Sequence, residues 1–255
     1  MQVTSLYIYP IKSCAGISLT SAHINVRGFQ YDRQWMLISL EEGFLTQRQF
    51  PKMATIKTHL TGTHLVLNAI GMPTISVPLL SNPSQKPVST RVWNTDVMAS
   101  DQGDAAAAWL SDYLELKDIR LMRMCDDSEK SFVDSRPILI ISEASLEDLN
   151  QRLPQALPMN RFRPNLVIAN CQAYEEDTWQ QIQIGTMVLD SSKPCTRCVI
   201  TATDQQTGAK KGKEPLKTLS SYRKSPRGVT FGYYFIPTAS GLISVNDHCR
   251  MLTLY

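Results

Sequence analysis

The chain has 255 residues, enough to bury a substantial interior as one large domain or as two smaller ones sharing a core. With 43% hydrophobic and 19% charged residues, and no apolar run long enough to cross a bilayer as a helix, the composition predicts a soluble globular protein. A formal charge of +3 without any Lys/Arg block excludes nucleic-acid binding by whole-molecule electrostatics, and the positions of individual cations become the question.

The first residues, Met1-Gln2-Val3-Thr4-Ser5-Leu6-Tyr7, lack the basic and apolar regions of a secretory signal, so a cytoplasmic protein without a membrane anchor is expected. Strand patterning starts at once and stops at Pro10. Residues 35–38 and 44–46 read as a hairpin turning through Glu41-Glu42-Gly43, and 54–60 and 64–67 read as further strands. Pro73, Pro78, Pro83 and Pro87 then suit edge strands and an exposed connection, which places a domain boundary near Val92, dividing residues 1–92 from 93–255.

Residues 103–116 predict a helix burying Trp109, Leu110, Tyr113 and Leu114. Residues 142–153 predict a second, with Ser142 as N-cap, Glu143 at the positive end, an apolar stripe at Leu146, Leu149 and Leu153, and Pro154 as its stop. Strands return at 165–168, 182–189, 199–203, 229–236 and 251–254, and Glu214-Pro215-Leu216 opens a short helix. The expected fold is mainly β with some helices, an α+β arrangement around a barrel-like core.

Among six cysteines, Cys14, Cys125, Cys171 and Cys249 are scattered singly, unlike a disulfide framework. Cys195 and Cys198 form a Cys-x-x-Cys pair with Arg197 between the thiols and Pro194 before them. Zinc ligation, dithiol exchange and single-thiolate ligation of a metal cofactor all use that spacing. Zinc needs about four protein ligands and no second pair appears, while His248 and Cys249 are neighbours that would point apart on a strand. Dithiol exchange expects a helix after the pair, whereas β-branched Val199-Ile200-Thr201 predict a strand. A lone reactive or ligating thiolate fits best, with Arg197 to stabilise negative charge.

Cationic and hydroxyl groups recur at predicted strand ends: Lys12 and Ser13 after the first strand, Arg33 before Trp35, Ser135 and Arg136 before the Ile138 run, Arg161 and Arg163 flanking Phe162 before another strand, and Tyr234 beside Gly232. Together they suit a bulky anionic cofactor held by its phosphate and ring edges, with metal on the thiolate.

The ordered motifs carry a family resemblance: Tyr9-Pro10-Ile11-Lys12-Ser13-Cys14, Asp32-Arg33-Gln34-Trp35, Thr46-Gln47-Arg48 with Pro51, Ser142-Glu143-Ala144-Ser145-Leu146, Arg163-Pro164-Asn165, Asp177-Thr178-Trp179, Cys195-Thr196-Arg197-Cys198, Glu214-Pro215-Leu216 and Phe231-Gly232-Tyr233-Tyr234. Over nearly its whole length the chain resembles the MOSC proteins, in particular the mitochondrial amidoxime reducing components and the bacterial YcbX-type proteins. The resemblance implies a MOSC β-barrel completed by an N-terminal MOSC-associated β-rich domain. It implies a molybdopterin-type molybdenum cofactor whose metal Cys198 ligates, as the catalytic residue, and which Lys12, Ser13, Arg33, Ser135, Arg136, Arg163, Thr196, Arg197 and Tyr234 contact. Thr196 stands where the mitochondrial relatives have serine, and Ser135-Arg136 replaces their Thr-Ser.

The implied activity is reduction of N-hydroxylated small molecules (amidoximes, hydroxylamines, N-hydroxylated nucleobases) by oxygen-atom transfer to molybdenum. The alternative is a cofactor carrier or a sulfur-transfer protein without reductase turnover. Pyridoxal phosphate binding is a further attribution of the fold family. The four-cysteine iron-sulfur domain of YcbX-type proteins has no counterpart in this sequence, so no iron-sulfur cluster is expected and electrons are expected from a separate donor protein.

Overall fold

Alternation along the aliphatic run explains how the central sheet is covered on both faces. Ile138 and Ile140 pack with Val3, Leu6, Leu166, Ile168, Ile182, Leu189 and Phe235 inside the sheet, while Leu139 and Ile141 pack outside it with Leu149, Phe162, Cys195 and Phe231. The structure is a computed structural model describing residues 1–39, 41–80, 86–128 and 131–252. Of the expected features, Pro83 and the end of the strand at 251–254 lie outside those residues.

The main sheet has nine strands among the described residues, running Ile17–Leu19, Gln2–Ile8, Leu166–Ala169, Ile138–Ser142, Gly228–Pro237, Met187–Thr196, Gln181–Ile184 and Cys249–Met251, with Lys224–Ser225 beside Gly228–Pro237. It is nearly closed. Gln2 bridges His248, Val3 N–H donates to Asp247 at 3.0 Å, and Asn246 N–H donates to Val3 at 2.8 Å, joining the last strand to the first.

A second sheet of five strands orders Val88–Val92, Thr95–Asp101, Ile119–Met124, Trp35–Ser39 and Gly43–Phe44. One face packs Trp35, Leu37 and Leu121 against helix α1 (Asp104–Leu114) and the small sheet of Lys57–Leu60, His64–Asn68 and Ile75–Pro78. The other buries Met36, Val97, Met122 and Phe132. The chain is thus mainly β, as its patterning predicts.

Helix α1 buries Trp109, Leu110, Tyr113 and Leu114 as expected. Helix α2 (Glu143–Arg152) is capped by Ser142, whose side chain accepts from Ser145 N–H at 3.0 Å. Helix α3 (Leu216–Ser220) follows Pro215. The apolar stretch 182–189 is two strands, because Gly185 at φ +56° turns the chain between Gln181–Ile184 and Met187–Thr196. Residues 51–55 form a 3-10 turn started by Pro51, so the strand expected at 54–60 is confined to Lys57–Leu60.

The expectation that Cys195 and Cys198 enter a strand is corrected. The strand Met187–Thr196 ends at the pair, and Val199–Ala202 forms a 3-10 turn in which Cys198 O accepts from Thr201 N–H at 3.1 Å and from Thr201 Oγ1 at 2.9 Å. Those bonds to one carbonyl outweigh the β-branched preference for extended backbone. The single turn does not supply the long helix that dithiol exchange exploits.

Candidate active site

Between the barrel and the five-stranded sheet lies a cavity of about 560 Å³. Lys12, Ser13, Arg33, Ser135, Arg163, Thr196, Arg197, Cys198 and Tyr234 all line it, so nine of the ten residues implied by the family resemblance converge there, whereas Arg161, also noted in the sequence, is buried against Thr201 O and Asp204. Arg136 does not. Its Nε donates to Ser192 Oγ at 3.0 Å, and it faces a neighbouring cleft that shares Trp93, Asp134 and Ser135 with the cavity. The chain bends at Asp134 and Ser135, and Ser135 borders both spaces while Arg136 borders the cleft alone.

Short-range pairing fixes the N-terminal cations. Lys12 N–H donates to Trp35 O at 2.8 Å, Trp35 N–H to Pro10 O at 3.0 Å, and Arg33 N–H to Tyr9 O at 2.9 Å, locking residues 9–12 beside 33–35. Ser13, Arg33, Trp93 and Arg163 adopt left-handed backbone at φ +68°, +49°, +52° and +54°. Four non-glycine residues in this costly conformation around one cavity indicate backbone strain concentrated where side chains must be aimed.

Tyr9 organises two of the arginines. The Arg33 and Arg163 guanidinium carbons each lie 4.2 Å from its ring centroid, and its hydroxyl donates to Pro164 O at 3.1 Å. Burial pushes the Tyr9 phenol up to about 12, so it stays neutral beneath them. Burial works against the Arg33 charge, but its neighbours together outweigh it, foremost Asp32, which accepts from Nη1 at 2.8 and 2.6 Å. Arg163 is pulled down to about 10 by burial, which leaves it cationic at neutral pH, and its Nη1 donates to Cys14 O at 2.7 Å.

On the barrel side, two irregularities in the pairing of Met187–Thr196 with Gly228–Pro237 set the wall. The register slips between Ser191 and Lys193 and again between Pro194 and Thr196, the second slip opposite Gly232 at φ +77°. Arg197 lies just beyond. Its Nη1 donates to Cys195 Sγ at 2.9 Å and its Nη2 to Phe162 O at 2.5 Å. Burial holds the Tyr234 phenol well above its ordinary value, reinforced by the hydrogen-bonded Cys195 thiol, so it carries its proton at neutral pH. Cys195 is therefore a buried neighbour that engages Arg197 and Tyr234, whereas Cys198 is half-buried on the cavity wall.

The lining carries Lys12, Arg33, Arg48, Arg163, Lys193, Arg197 and Arg227 against a single carboxylate, Asp134. Arg48, Lys193 and Arg227 were not among the residues chosen from the sequence. Arg48 stands within a quoted motif, but solitary cations at 193 and 227 give no local signal. Two guanidinium nitrogens here, Arg48 Nη1 and Arg197 Nε, are buried without a hydrogen-bond partner among the described residues. Such orphaned donors beside uncompensated positive charge fit a bound anion. All six cysteines are free, and no three His, Cys, Asp or Glu side chains gather as a metal-ligand set among the described residues. Nor is any helix among them long and apolar enough to cross a membrane.

Asp134 accepts from Lys12 Nζ at 2.6 Å and from Trp93 Nε1 at 2.9 Å. Burial would raise its carboxyl, but Lys12, Trp93 and Arg48 hold it down at about 2. Lys12 is itself lowered, because burial of its ammonium outweighs the attraction of Asp134. A carboxyl depressed in the folded state contributes stability that is present above its unfolded value of about 3.8 and lost as pH falls towards about 2. The urea midpoint is therefore expected to fall between pH 5 and pH 2.5 more steeply in the parent than in Asp134→Asn. Parallel profiles would refute that linkage.

Comparison with known proteins agrees with this architecture. The MOSC N-terminal beta barrel domain matches residues 1–117 and the MOSC domain matches residues 127–250. The chain is 34% identical to mitochondrial amidoxime reducing component 2 of Rattus norvegicus over 96% of its own length and 81% of the relative's. It is 33% identical to mitochondrial amidoxime-reducing component 1 of Homo sapiens over 98% of its own length and 82% of the relative's. The crystal structure of the YUAD protein from Bacillus subtilis aligns over 97% of this chain and 93% of that one, at a TM-score of 0.43 and 11% identity, too remote for comparison of sites. With both domains matched and this identity over nearly the whole chain, the protein belongs to the MOSC family that includes the mitochondrial amidoxime reducing components.

Proposed function

We propose that the protein is a molybdenum-cofactor-dependent reductase of N-hydroxylated compounds, with Cys198 as the metal ligand. The observation that supports this most is a half-buried thiol on the wall of a cavity bearing seven cations, one carboxylate and two orphaned guanidinium nitrogens. Lys12, Ser13, Arg33, Ser135, Arg163, Thr196, Arg197 and Tyr234 would hold the pterin and its phosphate. Arg136 stands outside that set, since it faces the neighbouring cleft and not the cavity.

Bound there, the cofactor would supply two-electron oxygen-acceptor chemistry, so that R–NHOH with two electrons and two protons gives R–NH2 and water. The protein's part is to bind and orient. Arg33 and Arg163, seated over neutral Tyr9, offer fixed positive charge to the phosphate end, while Arg197 and the protonated Tyr234 hold the wall beside Cys198. Electrons come from a separate donor protein.

The test is molybdenum analysis of protein made in a host that synthesises the cofactor, together with reduction of benzamidoxime by an artificial electron donor. Near-stoichiometric molybdenum with benzamidine formation is expected. Purified protein without molybdenum would overturn the proposal, and bound molybdopterin without turnover would favour a carrier.

A further inference from the structure

Trp93 is the least expected residue at the cavity. The strands Val88–Val92 and Thr95–Asp101 pair through Val92 and Thr95, so Trp93 and Asn94 are the whole of a two-residue hairpin loop. Trp93 takes the left-handed conformation at φ +52°, where such turns favour glycine, asparagine or aspartate. A bulky aromatic held there against steric preference points to a role for its ring.

The ring is fixed from several sides but not covered. Its Nε1 donates to Asp134, its ring meets Phe44 in a T-shaped contact with centroids 4.8 Å apart, and the Arg48 guanidinium carbon lies 4.8 Å from its centroid. It remains 44% exposed, whereas Trp35, Trp109 and Trp179 are 0, 5 and 1% exposed. Trp93 and Asp134 both line the cavity and the adjoining cleft, so they stand where the two meet. Both hydrogen bonds to Asp134 land on Oδ1, and among the described residues Oδ2 receives none.

We propose that Trp93 and Asp134 form the substrate-recognition subsite. The indole stacks on a planar conjugated group, and Asp134 Oδ2 accepts an N–H from the adjacent amidine or amino nitrogen. The preferred substrate class is therefore planar, conjugated N-hydroxylated amidines and aminoheterocycles, selected over small aliphatic hydroxylamines that offer no π-face. This rests on the reductase reading of the same cavity and adds the group that discriminates among substrates.

Two measurements test it on the oxidised holoprotein. Because Trp93 is the one indole open to solvent, benzamidoxime added without an electron donor should quench emission saturably in the parent and not in Trp93→Leu. With an artificial donor, the ratio of kcat/KM for benzamidoxime to that for N-methylhydroxylamine should fall about tenfold in Trp93→Leu and recover in part in Trp93→Phe. Trp93→Gly, which suits the left-handed backbone, should lose the same discrimination, separating the ring's role from the turn's folding. An unchanged ratio, or quenching that survives in Trp93→Leu, would overturn the proposal. Should the parent reduce neither compound, the reductase reading fails, and the quenching titration still decides whether Trp93 binds planar amidoximes.

Discussion

Replacing Cys198 by alanine is expected to strip the protein of molybdenum and to lower benzamidoxime reduction by more than about 10³-fold, beyond what removing one positioned hydrogen-bond donor usually costs. Cys198 is half-buried on the cavity wall, and its carbonyl is tied to Thr201 through Thr201 N–H and Oγ1, so its backbone is held whatever its side chain. Alanine there should leave the thermal midpoint close to that of the cofactor-free parent. Cys195→Ala should behave in the opposite way. Its sulfur is buried in the cluster of Leu139, Ile141, Phe162 and Phe231 and accepts from Arg197, so its loss should cost about 1–2 kcal/mol of stability. Molybdenum should be retained and activity should drop roughly tenfold, as for residues that orient a metal site from behind its ligands. Metal content, turnover and thermal midpoint of both variants check this. Loss of molybdenum from Cys195→Ala with retention in Cys198→Ala would reverse the assignment of the pair.

The second large effect is structural. A Cβ on Gly232 would lie 2.6 Å from Ile141 Cγ1 and 2.9 Å from the Ile140 carbonyl oxygen, and the backbone there is left-handed at φ +77°. Gly232→Ala combines a left-handed penalty with overpacking against a rigid strand, and about 3 kcal/mol of destabilisation is expected. That is a large share of the stability of an ordinary domain. Because Gly232 sits opposite the second slip in pairing with Met187–Thr196, the damage should reach the wall bearing Cys195 and Arg197, and metal retention should fall with stability. Urea unfolding with molybdenum analysis checks both. A midpoint within error of the parent's would show that the strand relaxes freely.

Much of the fold was legible where local patterns coincide with burial. Ser142 before an apolar stripe marks the start of α2, and Trp109, Leu110, Tyr113 and Leu114 form the buried face of α1. Reading failed where one local bond decided the outcome. Val199-Ile200-Thr201 has strand composition, yet Cys198 O gathers Thr201 into a turn, and Gly185 divides an apolar stretch that looks continuous. For the site, Lys12, Ser13, Arg33 and Arg163 stand at strand ends within recognisable motifs. Lys193 gains meaning only from the pairing of Met187–Thr196 with Gly228–Pro237, Arg227 only from the turn between Lys224–Ser225 and Gly228–Pro237, and Trp93 only from the hairpin that puts it at the cavity's edge.

The joining of the first strand to the last also governs the order in which the molecule can be made. Gln2–Ile8 leaves the ribosome early, but its neighbours at residues 166–169 and 246–248 are translated much later. Ile17–Leu19 can pair with Leu6–Ile8 at once, but until then the other edge of the strand and its first residues stay open, a state prone to pairing with other chains. The barrel closes only once those residues have emerged. The N-terminal segment, although matched to a different domain from most of its partners, therefore cannot be trimmed without reopening the seam between the first strand and residues 246–248.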